Sequence, residues 1–252
     1  MLAYILAAAA AVKIGVQGPM TGALAKQGQD MLNATRMAVE EVNAKGGVKG
    51  AKVEIAVGDD KGDPREGLLA ARHLATSEVL GVVGPYNSGV TIPVTAEVYG
   101  PAGISVLTVA TNPRVTERGL KTVFRVIGRD DQQGGIAAAQ ARKFSAARAA
   151  VLHNKNAYGQ GLADEFSKAF KHLGGELVFS DGVATGEKDY RPTLTRLRQS
   201  KPDLLFFGGE YQDAGPLVRQ ARELGIKARF MSGDATLDPT FVTLAGSKAA
   251  EG

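Results

Sequence analysis

The sequence predicts an α/β fold built as two Rossmann-like lobes, each a mainly parallel sheet flanked by helices. Three observations lead there. Short apolar runs such as VKIGVQG, LGVVG, ISVLTVA and DLLFFGG alternate with longer stretches whose apolar residues recur at helical spacing. Gly46-Gly47 and Gly174-Gly175 each close one such stretch, as expected where glycine relieves a left-handed helix end. The alternation starts afresh near residue 128, so lobe one is expected over 12–128 and lobe two over 129–252, with 1–11 as a leader.

In chain order, VKIGVQG (12–18) reads as a strand. A helix follows near 29–44, with Met31, Ala34, Ala38 and Val42 expected on its sheet-facing side. KVEIAVGDD is the second strand. Asp63 and Pro64 supply an N-cap and a first-turn proline for a helix to about Thr76. LGVVG is the third strand, SGVTIPVTAEVYGPAG an imperfect helix, and ISVLTVA the fourth strand.

The second half opens with a helix over about 130–146 and strand AAVLHN. A helix over 158–173 then places Leu162, Phe166, Ala169 and Leu173 on one face. Strand ELVFSDGV, a helix near 190–200, strand DLLFFGG, a helix over 213–224 and strand ARFMSG complete the pattern. Strands of this kind belong in parallel sheets covered on both faces.

Composition narrows the function. The 252 residues are 44% hydrophobic and 22% charged with a net charge of +4, ordinary for a globular protein. No basic stripe is interleaved with aromatics and Trp is absent, which argues against nucleic acid as a partner. Without cysteine in this sequence, no disulfide, thiolate nucleophile, cysteine zinc site or lipid attachment through an N-terminal cysteine is expected. His73, His153 and His172 are too scattered for a metal pair and read as structural or surface residues. No metal or cofactor is expected. The run LAYILAAAAA (2–11) resembles the apolar core of a secretory signal but lacks its basic start. It is too short to span a membrane.

A Rossmann enzyme is the rival reading. A Gly-rich loop follows the first strand, and Asp59 and Asp60 end the second, where a ribose would be held. The loop GVQGPMTG is not G-x-G-x-x-G, however, and Pro19 stands where backbone would approach a pyrophosphate. No phosphate loop, nucleophile elbow or Ser/His/acid set can be assembled.

VLTVATNPRVT (106–116) poses a sharper question: a buried strand ends in small hydroxyls and a proline. Hydroxyls and free N–H groups at a strand end are suited to small anions. At this point the chain resembles the substrate-binding proteins of branched-chain amino-acid ABC transporters, the leucine/isoleucine/valine-binding family. KIGVQGPMTG, AVEEVNAKGGVKG, DDKGDP, GPYNSGVTIP, ISVLTVATNP, HNKNAYGQGLA, GEKDY and RQARELG carry the resemblance, in the family's order.

The resemblance implies two lobes closing on a free amino acid, which is then delivered to a membrane permease. It places Ser88 and Thr111, with neighbours Tyr86, Asn87 and Ala110, around the α-carboxylate, and the Val109 carbonyl as an acceptor for the ammonium. On lobe two, Tyr158 would contact the carboxylate side and Asp234 would pair with the ammonium. A monomer in the periplasm is expected. An amino-acid or small-amide sensor of the same fold is the alternative.

Three departures from the family stand out. Glu210 and Gln27 replace aromatics; Glu210 would either line the pocket or turn outward while Tyr211 fills it. A disulfide that some relatives carry near positions 62 and 87 cannot form here. LAGSKAAEG matches the point where relatives return to finish lobe one, so lobe one is expected to be incomplete and to expose apolar surface.

Overall fold

The computed structural model describes residues 11–251; the predicted leader, apart from Ala11, lies outside them. The chain divides after Ile127 into two compact units.

Unit one is a parallel sheet of β1 (Val12–Gly18), β2 (Val53–Asp59), β3 (Gly81–Val83), β4 (Ser105–Thr108) and β5 (Val123–Arg125), in the order β2-β1-β3-β4-β5. Its helices are α1 (Ala25–Ala44), α2 (Pro64–Thr76), α3 (Ser88–Val94) and α4 (Arg114–Glu117). Strand order reverses between β1 and β3, and sheets of this kind bind ligands outside the carboxyl ends of their strands at such a reversal.

Helix α2 begins as read from the sequence: the Asp63 carboxylate accepts from the Arg65 and Glu66 N–H groups at 2.7 and 3.1 Å. Helix α3 contains Pro93 and passes into a π turn, Thr95–Tyr99, in which Gly100 N–H donates to Thr95 O. Pro93 has no N–H to continue the regular ladder. That accounts for the imperfect pattern in SGVTIPVTAEVYGPAG.

The two faces of this sheet differ. Val82, Val106 and Val123 are in register and buried against one side. Val82 and Val106 belong to a core that includes Leu74, Val90, Val94 and Tyr99. On the opposite row Val83 is half-buried against Val16, Met20 and Leu32, but Leu107 and Phe124 are open, 42% and 53% exposed. Coverage of both faces, expected from the strand pattern, therefore fails at β4 and β5. The expected apolar face of α1 is corrected too: Met31 is half-buried, whereas Ala34, Ala38 and Val42 are exposed, and Leu32 with Gly28 makes the tight contact. Between α1 and β3 lies a groove of about 530 Å³, bordered by Met31, Val83, Tyr86 and Val109.

Unit two is a parallel sheet of β6 (Arg148–His153), β7 (Glu176–Gly182), β8 (Leu204–Gly208) and β9 (Arg229–Ser232), in the order β7-β6-β8-β9. Its helices are α5 (Asp130–Lys143), α6 (Ala157–His172), α7 (Arg191–Gln199), α8 (Tyr211–Glu223), α9 (Pro239–Ala245) and α10 (Ser247–Ala250). Here both faces are covered. Along β8, Leu204 and Phe206 enter a core with Leu162, Phe166 and Phe170, while Leu205 and Phe207 enter another with Leu194 and Leu217. Phe166 stacks on Phe206 with ring centroids 3.9 Å apart. Each such side chain contributes about 1.5–3 kcal/mol on full burial. Leu173, expected on the buried face of α6, is instead exposed beyond the helix end.

The sequence pattern did not reveal β5, α4, α9 or α10. Each is short, three to seven residues, too brief for a period to register.

Candidate functional site

In unit one the loops after β3 and β4 are tied together. The Thr108 hydroxyl donates to Pro85 O at 2.7 Å and accepts from Ala110 N–H at 3.0 Å. The Ser88 hydroxyl accepts from Asn112 N–H at 3.3 Å. Arg125 donates to Ala110 O and Asn112 O at 3.0 and 2.9 Å and to the Thr116 hydroxyl. Sequence reasoning missed Arg125; an arginine closing the short apolar run VFR was its one signal.

Thus Tyr86, Asn87, Ser88, Val109, Ala110 and Thr111 form one constellation at the carboxyl ends of adjacent strands. Thr111 is only 5% exposed, yet among the described residues neither its hydroxyl nor its N–H has a protein partner. Helix α3 adds the N–H groups of Ser88 and Gly89, those of Val90 and Thr91 donating to Asn87 O. The Asn87 side chain does not cap α3; its Oδ1 is buried without a partner. Positions 62 and 87 are indeed neighbours, since a Cβ on Gly62 would stand 3.3 Å from Asn87 Oδ1.

The acids that suggested a ribose site are otherwise employed. Asp59 accepts from Met20 and Lys61 N–H groups and, at 2.6 Å, from the Thr21 hydroxyl. It anchors the loop after β1. Asp60 is fully buried, accepts from Gly62 N–H at 2.9 Å, and leaves its other oxygen unpartnered. Burial, with the Asp59 charge adding to it, pushes the Asp60 pKa up to about 6.

In unit two, Tyr158 in the first turn of α6 donates its hydroxyl to Asp234 Oδ1 at 3.0 Å and accepts from Ala235 N–H at 3.4 Å. Asp234 is exposed and opens a 3-10 turn after β9, with its N–H on Gln133 Oε1 at 3.0 Å. Its side chain caps no helix; Asp238 instead caps α9 by accepting from Thr240 N–H. Burial, reinforced by the Asp234 charge, holds the Tyr158 phenol well above its ordinary pKa. A pocket of about 340 Å³ adjoins Asp234, walled by Ile136, Leu162, Phe206 and Met231.

Glu210 does not turn outward: the residue is 6% exposed, and its carboxylate accepts from Asn154 Nδ2 at 2.5 Å and from Asn156 Nδ2 at 3.1 and 3.2 Å. Burial raises its pKa. Tyr211, beside it, is buried as well. Among the described residues no group of three or more His, Asp or Glu is placed to hold a metal ion, and no helix is long and apolar enough to cross a membrane.

A family model for periplasmic binding proteins matches residues 11–252. An "Amino acid binding protein" of Pseudomonas aeruginosa is 43% identical over 242 residues, 95% of this chain and 64% of the relative. "Leu/Ile/Val-binding protein homolog 1" of Brucella abortus is 40% identical over 252 residues, 99% of this chain and 68% of the relative. Among solved structures, a leucine-binding protein, LivK, of Thermotoga maritima superposes with a TM-score of 0.88 at 30% identity, covering 96% of this chain and 68% of that one. The substrate-binding protein LivJ of Streptococcus pneumoniae, solved with isoleucine, gives 0.84 at 29% identity over 95% of this chain and 68% of that one. The chain thus spans about two thirds of the length of these relatives, and it belongs to the periplasmic binding protein family.

Proposed function

We propose that the chain is the ligand-capturing part of an extracytoplasmic amino-acid-binding protein that supplies an ABC permease, with a branched-chain or other small aliphatic amino acid as ligand. The names of its relatives support the class. The chemistry of the residues in each unit supports the ligand.

Unit one offers donors of the kind a carboxylate needs, the Thr111 hydroxyl and N–H with the first turn of α3, while the Arg125 guanidinium beside them donates to Ala110 O, Asn112 O and the Thr116 hydroxyl. Unit two offers an exposed carboxylate, Asp234, oriented by a phenol. These complement the two ends of a zwitterion. Hydrogen bonds to charged groups contribute about 1.5–3 kcal/mol each. Four would match the roughly 8 kcal/mol of a micromolar complex before ordering costs are subtracted. Exclusion of water on binding must therefore strengthen them.

The observation that carries the reading is Asp234: an exposed acid, hydrogen-bonded by Tyr158, with no ion-pair partner among the described residues. Calorimetric titration with the twenty amino acids tests it. Leucine, isoleucine or valine should bind, and Asp234→Ala should weaken binding by about 2–5 kcal/mol, as for removing one member of a buried charge pair. Unchanged affinity in that variant removes Asp234 from the site.

A further inference from the structure

Glu210 stands at the N-cap position of α8, yet its side chain caps nothing there. A short acid would turn back onto its own helix. Glu210 instead reaches into the loop between β6 and α6 and binds two amides. One belongs to Asn154, whose Nδ2 it shares with Asp213 Oδ2 at 3.0 Å. The other belongs to Asn156, whose Oδ1 accepts from Gly159 N–H at 2.7 Å and so caps α6. One amide side chain is therefore fixed at both ends: its oxygen by the helix, its nitrogen by Glu210.

The first turn of α6 also rests directly on the end of β8. Gly159 packs backbone to backbone on the end of β8, where a Cβ would come within 2.4 Å of Gly208 O. Tyr158 is the neighbour of Gly159 and carries the hydroxyl that meets Asp234. A continuous chain of contacts runs from Glu210 through Asn156 and the first turn of α6 to Tyr158 and Asp234, joining the carboxyl ends of β8, β6 and β9.

We infer that Glu210 is a positioning residue: its buried carboxylate, through Asn156, sets the start of α6 and thereby aims the Tyr158 hydroxyl at Asp234. This inference rests on the proposed function only where it bears on ligand affinity; the aim of Tyr158 can be read without ligand. The role so inferred runs through the asparagine amides that Glu210 holds rather than through the ligand's side chain. A residue that acts through a helix cap is expected to affect all amino-acid ligands alike.

The test uses the whole chain with ¹³Cζ-labelled tyrosine, followed by NMR through alkaline pH, with the Tyr158 signal assigned by Tyr158→Phe. Two variants cut the chain of contacts at different points. Glu210→Ala removes the carboxylate. Asn156→Ser keeps a capping oxygen for α6 but has no amide to reach Glu210, and it serves if Glu210→Ala does not fold. In each, the Tyr158 phenol should ionise at lower pH than in the parent protein, while Tyr99 of unit one is unchanged. Affinity for isoleucine, leucine and valine should fall by a common factor of about tenfold or more. An unaltered Tyr158 titration in either folded variant overturns the inference, even if the melting temperature drops, because loss of stability alone is what a merely structural acid would show. A change in preference among the three ligands without a Tyr158 shift also overturns it. If none of the three binds the parent protein, the proposed function fails, while the tyrosine titration still judges Glu210.

Discussion

The Tyr158 hydroxyl lies 3.0 Å from Asp234 Oδ1, joining the first turn of α6 to the turn after β9 across a separation of 76 residues. Tyr158 is 7% exposed while Asp234 is open to solvent. A buried phenol thus holds an exposed carboxylate in one orientation. Such an arrangement suits an acid that must meet a cation without first being ordered.

Removing the phenol oxygen should therefore act on binding more than on folding. Tyr158→Phe should lower amino-acid affinity by about 1.5–3 kcal/mol, the value of a hydrogen bond to a charged group, when measured by calorimetry. An affinity equal to that of the parent would show that the Asp234 orientation is immaterial.

Thr111 should behave differently from Ser88. The Thr111 hydroxyl has no protein partner among the described residues, so Thr111→Val should leave urea-unfolding stability within about 0.5 kcal/mol and weaken ligand binding about tenfold. Ser88 accepts from Asn112 N–H, so Ser88→Ala should reduce both, with about 1 kcal/mol lost from stability.

Asp60 gives a pH dependence of definite sign. Its folded pKa of about 6 lies above the ordinary 3.8, so the folded state holds the proton more tightly than the unfolded chain. The resulting stabilisation is full below about pH 4 and is lost as pH rises through about 6. Asp60→Asn should accordingly be more stable than the parent at pH 7, by an order of about 1–3 kcal/mol, with the advantage disappearing near pH 4. Urea titrations at the two pH values check this, and equal differences at both would refute it.

The open pair Leu107 and Phe124 on β4 and β5 should bind hydrophobic dyes. Replacing Leu107 and Phe124 together by threonine, which suits a strand, should lower anilinonaphthalene sulfonate fluorescence and raise solubility. Amino-acid affinity should not change. Dye binding that persists undiminished would locate the exposed apolar surface elsewhere.

Much of the architecture was legible because parallel α/β units repeat a strong local code. Asp63-Pro64 specifies a helix start by side chain and ring geometry alone, and LLFFG can satisfy its apolar residues only between two covered faces. The hydroxyl-rich end of β4 could likewise be recognised from composition. The face of α1 could not: Met31, Ala34, Ala38 and Val42 have the right spacing for burial, but which side of a helix is covered depends on what packs there. Arg125 was invisible for a related reason, since one arginine in a short strand does not reveal which carbonyls it will meet.

The residues by themselves determined that this protein alternates strands and helices, that small hydroxyl residues stand at 88 and 111 just after two strands, and that acids stand at 210 and 234. Folding decided what those acids do. Asp234 emerges beside a phenol with its carboxylate open to solvent, whereas Glu210 turns into the interior, where two asparagine amides donate to its oxygens. The difference arises because hydrogen bonds in a low-dielectric interior depend on groups distant in the chain, and only the assembled strand ends bring those groups within reach.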